Sequence, residues 1–369
     1  MSIGFDYFFY YSNQNVGVNK KINDTVGAVT CLGYKAREIR ISGGFFSKRF
    51  KMFLAILKSN AEIIVLRNDF LLPIVYFPIL LWKRLCGVVV VIDIPTPMTT
   101  VIREFFTGPV TGRLVGVLKT ILMIAQHPWT LWPANCVLEY SDESWWFSLG
   151  IKNKIRKEGN GILLPERSPD FNTLRNSFDC KFVGVGLIAD WHGYDRLICG
   201  LGEYYKNLAP STGCPRQVSF EVIGDGPAIP SLKALVTKEG LTEYVKFSGV
   251  IVGSDLERVL LESDIAVGTL GLHRKGLFSA APLKNREYCS VGLPFVCSHD
   301  DPDFLEQDFV RFLEANDKAV DIADLLCWLD SLKQDTSYRD KIYSYCKLHI
   351  DYRGKWKRIL NKILPDACR

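Results

Sequence analysis

Along the chain, short runs of consecutive apolar residues alternate with longer stretches in which apolar residues recur every three or four positions, the signature of βα units. In the first half, residues 3–11 ("IGFDYFFYY"), 62–67 ("EIIVLR"), 88–95 ("VVVVIDIP") and 136–141 ("CVLEYS") read as strands, with helices over 48–60 and 72–85. The run "VVVVID" has no polar alternation, as expected of a strand covered on both faces. The pattern lapses into Gly, Pro, Asn and Ser over 159–179, which reads as a linker. A second series follows: strands over 180–189, 217–226, 244–250, 264–270 and 293–298, helices over 193–207, 228–240 and 254–263, and two helical stretches at the end. The pattern predicts an α/β protein of two Rossmann-like, doubly wound domains facing across a cleft, with ligand at the carboxyl ends of the strands. The expected division is 1–165, 178–345 and a carboxyl-terminal helix over 346–369 that returns to the first domain.

The chain's 369 residues suit two domains, and 48% hydrophobic with 23% charged residues is a folded composition. A net charge of +5 without a long Lys/Arg block excludes a chain built around nucleic acid and leaves local positive sites for phosphates or an anionic membrane surface. Eleven cysteines, odd in number and without a C-x-x-C pair, argue against a disulfide framework or a zinc site and fit reduced thiols in a cytoplasmic protein. The opening "MSIGFDYFFYYSNQ" lacks the basic start and cleavage site of a signal peptide. Residues 120–138 are uncharged but interrupted by Gln126, His127, Pro128, Pro133 and Asn135, and read as a core helix, a loop and a strand. In a second reading this segment and 70–85 present a face to a membrane surface.

Candidate chemistry gathers at predicted strand ends. Gly224-Asp225-Gly226 permits a tight turn with free N–H groups before a helix, although such turns are also common plain connectors. Gly184, Gly186 and Ala189 form an imperfect dinucleotide fingerprint, because no helix opens directly after them. His192, at a helix start, can donate to a phosphate or serve as a structural hydrogen-bonder. Arg274 and Lys275 follow a strand and can reach a diphosphate. Lys284 and Glu287 lie one helical turn apart, which suits a phosphate for the lysine and vicinal ribose hydroxyls for the glutamate, or simply a solvated ion pair.

The run from "VIGDGP" through "VKFSGVI", "DLERVLLESDIAVGTLGLHRKGL" and "PLKNREYCSVGLPFV" resembles the nucleotide-sugar domain of GT-B glycosyltransferases, particularly glycosyltransferase family 4 of the polysaccharide-building kind. The likeness is specific over about 180–330 and continues through "NVGVNKKI", "EIIVLRND", "VIDIPTP" and "EGNGILL" in the first half. It implies that Glu287 holds the donor ribose, that Val250 and Ile251 lie near the base, and that Gly17 sits in a loop closing on the phosphates. Lys20 and Arg67 would line the acceptor side, and His273, Pro282 and Leu283 would complete the donor segment. The chain departs from the family at Ser279, where the first of two glutamates is expected, and in lacking the Arg and Lys that grip the diphosphate. His192, Arg274, Lys275 and Lys284 are the expected replacements.

The expected reaction is sugar transfer from a nucleotide-diphosphate sugar to a saccharide or lipid-linked acceptor in cell-surface polysaccharide biosynthesis, with retention implied by the resemblance and neither metal nor cofactor. Asp93, a candidate catalytic group, can equally cap a turn, and His127 can be a loop residue. An inactive nucleotide-sugar-binding protein and a sugar-nucleotide isomerase are the alternatives on this scaffold. The basic amphipathic segment 352–364 either packs on the first domain or touches an anionic membrane from the cytoplasmic side.

Overall fold

The structure, a computed structural model, describes residues 3–12, 16–106, 110–140, 147, 149–171, 179–207 and 216–364. Residues 172–178 of the expected linker, Cys214 and Cys368 lie outside this set. The chain divides into two compact units, Met1–Leu163 with Ile350–Arg369, and Leu164–His349.

The first unit contains β1 (Gly4–Tyr10), α1 (Val16–Cys31), β2 (Lys35–Ile41), α2 (Phe45–Lys58), β3 (Ile63–Arg67), α3 (Phe77–Leu85), β4 (Val89–Ile94), α4 (Met98–Phe105), α5 (Val110–Leu131), β5 (Cys136–Glu139) and β6 (Ile155–Lys157). The strands form one parallel sheet in the order β2-β1-β3-β4-β5-β6. Alternation along β3 and β4 decides which helices cover which face. Ile64, Leu66, Val90 and Ile92 pack with α2, α3, α4 and α5, whereas Ile63, Val65, Val89 and Val91 pack with α1 and a helix from the end of the chain.

The second unit contains β7 (Cys180–Val185), α6 (Tyr194–Asn207), β8 (Val218–Ile223), α7 (Ile229–Lys238), β9 (Val245–Gly249), α8 (Gly253–Leu261), β10 (Ile265–Val267), α9 (Leu283–Ser290), β11 (Phe295–Cys297), β12 (Val310–Phe312), α10 (Ile322–Lys333) and α11 (Tyr338–Tyr345). Its sheet is also parallel, in the order β12-β11-β10-β7-β8-β9. Renumbered from its own first strand this is the 3-2-1-4-5-6 Rossmann order, whose direction reverses between β7 and β10. In the first unit the reversal lies between β1 and β3.

The chain then returns to the first unit as α12 (Tyr352–Ile363), whose Tyr352, Trp356, Ile359 and Leu360 join the core on the α1 face. The ring of Trp356 meets that of Phe5 edge-on at 5.3 Å. The apolar side of this basic helix is therefore covered, and packing rather than membrane contact accounts for its amphipathic pattern.

Residues 120–138 form the expected helix, loop and strand, with α5 ending at Leu131 and β5 starting at Cys136, but the helix is longer than expected and only partly covered. Helix α5 starts at Val110 and runs through Pro128 to Leu131, so the proline costs it a main-chain hydrogen bond without ending it. It is a core helix on one side only: Gly116, Met123, Gln126, His127 and Leu131 face inward, while Leu114 (79% exposed), Leu118 (67%) and Ile121 (60%) face outward.

Candidate functional site

In the second unit, the strand reversal is pinned by two tyrosines that the sequence reading did not single out. The N–H of Val185 donates to Tyr288 Oη at 3.1 Å, and that hydroxyl donates to the carbonyl of Val267 at 3.2 Å. Tyr194, wholly buried at the start of α6, lies with its Oη 3.4 Å from the same carbonyl. Against these neutral groups sits Lys284, half-buried on α9. Its Nζ donates to the carbonyl of Gly268 at 2.8 Å and lies 3.4 Å from Tyr194 Oη. Both acceptors are uncharged, and among the described residues no carboxylate pairs with it. Burial lowers its pKa to about 7.

The chain leaves β7 through Gly186 (φ +152°), where a Cβ would sit 2.9 Å from His192 Nε2. His192 Nδ1 lies 3.1 Å from the Ala189 nitrogen and 3.2 Å from its carbonyl oxygen, so the ring is held on the backbone of that residue. Burial, then the charges of Lys284 and Lys275, push this imidazole down to about 2, so it stays neutral. The two glycines after β8 serve packing: a Cβ on Gly224 would fall 1.9 Å from the Gly186 carbonyl oxygen, and one on Gly226 2.2 Å from that of Ile188. The loops after β7 and β8 thus lie backbone on backbone.

Arg274 is placed otherwise than expected. Its guanidinium takes Asp195 through two bonds of 3.0 and 2.7 Å, Asp317 at 2.8 Å and the Asp190 carbonyl at 2.6 Å. These internal partners hold it as a clamp between a single 3₁₀ turn, Leu272–Lys275, and the start of α6. His273 Nε2 lies 3.2 Å from Asp317, and the Lys275 ammonium stands 3.7 Å over the Trp191 ring. A pocket of about 190 Å³ opens beside the clamp, lined by Ala189, Asp190, Tyr194, Asp195, Ala228 and Arg274 among others. Pro282 precedes α9 and Leu283 begins it, with Glu287 one turn beyond Lys284. Val250 and Ile251 follow β9, the valine well exposed. Ser279 forms an isolated parallel bridge with Asp300.

In the first unit a second group of charges occupies the strand ends. Asp93, Arg67 and Tyr7 share sheet parity with Val91, Val65 and Phe5, so all three face α1. There Lys21 Nζ lies 3.2 Å from Asp93 Oδ1, Arg67 Nη1 lies 3.2 Å from Oδ2, and Tyr7 donates to the same carboxylate. The Lys21 ammonium also stands 3.6 Å from the Tyr140 ring centroid. Burial raises the Asp93 pKa, but Lys21, Arg67 and the tyrosine hydrogen bonds outweigh it and hold the carboxyl below its ordinary value. So stabilised an anion is a poor proton acceptor, and its contacts are with Lys21, Arg67 and Tyr7. Arg67, its side chain 18% exposed, is the member of the group that meets solvent.

His127 is not at these strand ends: it is buried on α5, with Nε2 3.2 Å from the Phe147 carbonyl and its ring 4.0 Å from that of Phe147. Burial lowers its pKa to about 4, so it is neutral. Lys20 pairs with Asp24 at 3.0 Å along α1, and Gly17 is exposed in the first turn of that helix.

No family model and no curated protein matches the chain, whereas solved structures do. Sucrose-phosphate synthase from Thermosynechococcus elongatus superposes with a TM-score of 0.61 at 12% identity, covering 98% of this chain and 99% of that one. The trehalose-6-phosphate synthase OtsA gives 0.62 at 11% identity, covering 99% and 100%. The apo lipopolysaccharide outer core galactosyltransferase WaaB gives 0.57 at 12%, covering 99% and 100%. The chain has the GT-B fold.

At these identities the likeness establishes the fold of the GT-B chain, and the activities in those names remain those of the proteins that bear them. Within the GT-B units, Lys284, His192 and Gly186 are brought together at the β7–β10 reversal, and Arg67 with Asp93 at the β3–β4 ends. Tyr194, Tyr288, Tyr7 and Lys21 were missed because each is defined by its partner across the sheet. Tyr288, one residue after Glu287, and Lys21, in "NVGVNKKI", stood inside quoted motifs but were not singled out.

Proposed function

We propose that this chain is a glycosyltransferase that moves a sugar from a nucleoside-diphosphate sugar to a saccharide or lipid-linked saccharide acceptor, with retention and without a metal, in cell-surface polysaccharide biosynthesis. The observation that carries the reading is Lys284: an ammonium at the Rossmann reversal, bonded to a carbonyl and beside a hydroxyl, with no carboxylate paired to it among the described residues. A diphosphate is the anion such a site suits, because the leaving group gains negative charge as the glycosidic bond breaks and a preorganised cation opposes that charge. In the tautomer in which Nδ1 accepts from Ala189, His192 donates a neutral hydrogen bond from Nε2 in the loop after β7. Glu287 accepts from the two ribose hydroxyls, and Val250 and Ile251 border the base. Arg274 and His273 hold this loop through Asp195 and Asp317, and Lys275 remains beside Trp191.

The carboxylate expected at Ser279 has a substitute in this reading. Residues paired in a bridge carry their side chains on the same side of the strands, which places the Asp300 carboxylate beside Ser279, where the donor sugar's hydroxyls would lie. On the acceptor side, Arg67 offers its exposed edge while Asp93 holds it in place.

The test is calorimetric titration of the protein with UDP, GDP, dTDP and CMP and with their sugar conjugates, followed by product analysis with and without saccharide acceptors. Binding of one nucleoside diphosphate, lost in Lys284→Met, together with acceptor-dependent product, supports the transferase. Turnover without an acceptor would assign an isomerase, and binding without turnover a regulatory protein.

A further inference from the structure

The outward side of the helical layer formed by α2, α3 and α5 is apolar where a solvated surface is ordinarily polar. On α5 the exposed side chains include Leu114, Val115, Leu118, Ile121, Leu122, and Trp129. Helix α2 adds Phe46 (77% exposed) and Phe50 (63%). The turn Pro73–Tyr76 packs against both helices and carries exposed Ile74 and Val75, so the two patches are continuous. Exposed Trp82 and Leu85 of α3, and Trp132 just beyond α5, extend the surface, with Phe77 stacked on Trp132 at 6.5 Å.

Charge on these elements has one sign. Helices α2, α3 and α5 contain no Asp or Glu. Lys51 and Lys58 stand exposed on α2 and Lys119 on α5. Arg84 and Lys154 both reach the carbonyl of exposed Trp132, at 3.0 and 2.7 Å. A second copy of the same face would bring lysines against lysines, whereas an anionic lipid surface complements both the lysines and the interfacial tryptophans. Spanning is excluded for α5 because its other side is packed on the sheet, and among the described residues no helix is long and apolar enough to cross a membrane. Its 22 residues, about 33 Å, suit a helix lying in the plane of the interface.

We propose that the face made by α2, the Pro73–Tyr76 turn, the end of α3 and α5 docks on an anionic bilayer surface, with α5 lying parallel to the membrane. The inference stands on these residues alone and does not depend on the donor site. The test is flotation of the full chain with phosphatidylglycerol–phosphatidylethanolamine vesicles and with phosphatidylcholine vesicles, at low and high salt. Flotation is expected with the anionic vesicles and is expected to weaken with salt. The variant Leu118→Glu/Ile121→Glu, changed at exposed positions, should lose at least about tenfold in partitioning with its thermal melt unchanged. Lys51→Glu/Lys58→Glu should lose about fivefold or more for each lysine on anionic vesicles alone. Equal flotation with both vesicle types, or with neither, overturns the proposal. So does a wild-type dimer that Leu118→Glu/Ile121→Glu turns into monomer, since that gives the face to a second copy.

Discussion

The two sheets put cations at their strand ends in opposite ways. In the first unit, Lys21 and Arg67 converge on Asp93, a counter-ion that the chain itself supplies and buries. In the second, Lys284 faces a carbonyl and a tyrosine hydroxyl, while Asp195 and Asp317 are claimed by Arg274 and Asp301 and Asp303 by Arg286. A buried cation with its own anion contributes to the fold and to the position of its neighbours. One without such an anion is a cost to the folded state that an external anion can relieve. The contrast separates a structural charge from a binding charge more cleanly than residue type does.

Lys284→Met is expected to break the contrast most sharply. It should lower nucleoside diphosphate affinity about 100-fold by removing a desolvated charge–charge contact, while the ligand-free melting temperature holds or rises. Calorimetry beside a thermal melt checks both signs, and a destabilised variant with unchanged affinity would show that Lys284 supports the fold.

Asp93→Asn should do the reverse. Leaving Lys21 and Arg67 without their counter-ion should cost about 3–5 kcal/mol of stability, read by denaturant unfolding, with nucleotide affinity little changed in the protein that remains folded. A variant as stable as the parent would end the structural reading of Asp93.

Glu287→Ala should weaken nucleoside diphosphate binding by about tenfold to thirtyfold, the loss of a charged hydrogen-bond acceptor. The 2′-deoxy ligand should lose little on the same substitution, and an equal loss for both ligands would move Glu287 away from the ribose.

The smallest effect is one of pH. Lys284 has its folded pKa lowered to about 7, so between there and the ordinary lysine value the unfolded chain binds more protons than the native one. Its contribution therefore makes ligand-free stability rise with pH across that interval, whereas affinity for a diphosphate, which needs the charged form, falls. Lys21, lowered to about 8, adds to the stability trend, so the Lys284 share is the part that Lys284→Met removes. Calorimetry at pH 8 in buffers of different ionisation enthalpy should show proton uptake on binding, and none in Lys284→Met.

How much of this was legible depended on whether a feature is local. The strands β3, β4, β7, β8 and β10 and the helices α6, α7 and α8 follow from periodicity because their pattern lies within a few residues. Strand β2, "KAREIRI", was missed because it is an edge strand whose charges fall on both faces, and β12 because three residues hold too little pattern. Helix α5 misled in a different way: its apolar residues were read as core, yet apolarity does not say on which side a helix meets protein. For the site, Lys284 and Glu287 were visible from their spacing on one helical turn. That Arg274 is clamped could not be read, because Asp195 and Asp317 lie 79 and 43 residues away in sequence.

The return of α12 has a consequence for biosynthesis. The second unit is one unbroken stretch of chain, whereas the first needs Trp356, Ile359 and Leu360 to close its α1 face. The half of the molecule that leaves the ribosome earlier is thus the later to be completed, and its sheet must wait with Phe5 and its neighbours uncovered until the second unit has been made. A stop codon at residue 350 would strike the opposite end of the polypeptide, leaving the second unit's sequence whole and the first unit's core open to solvent and to chaperones.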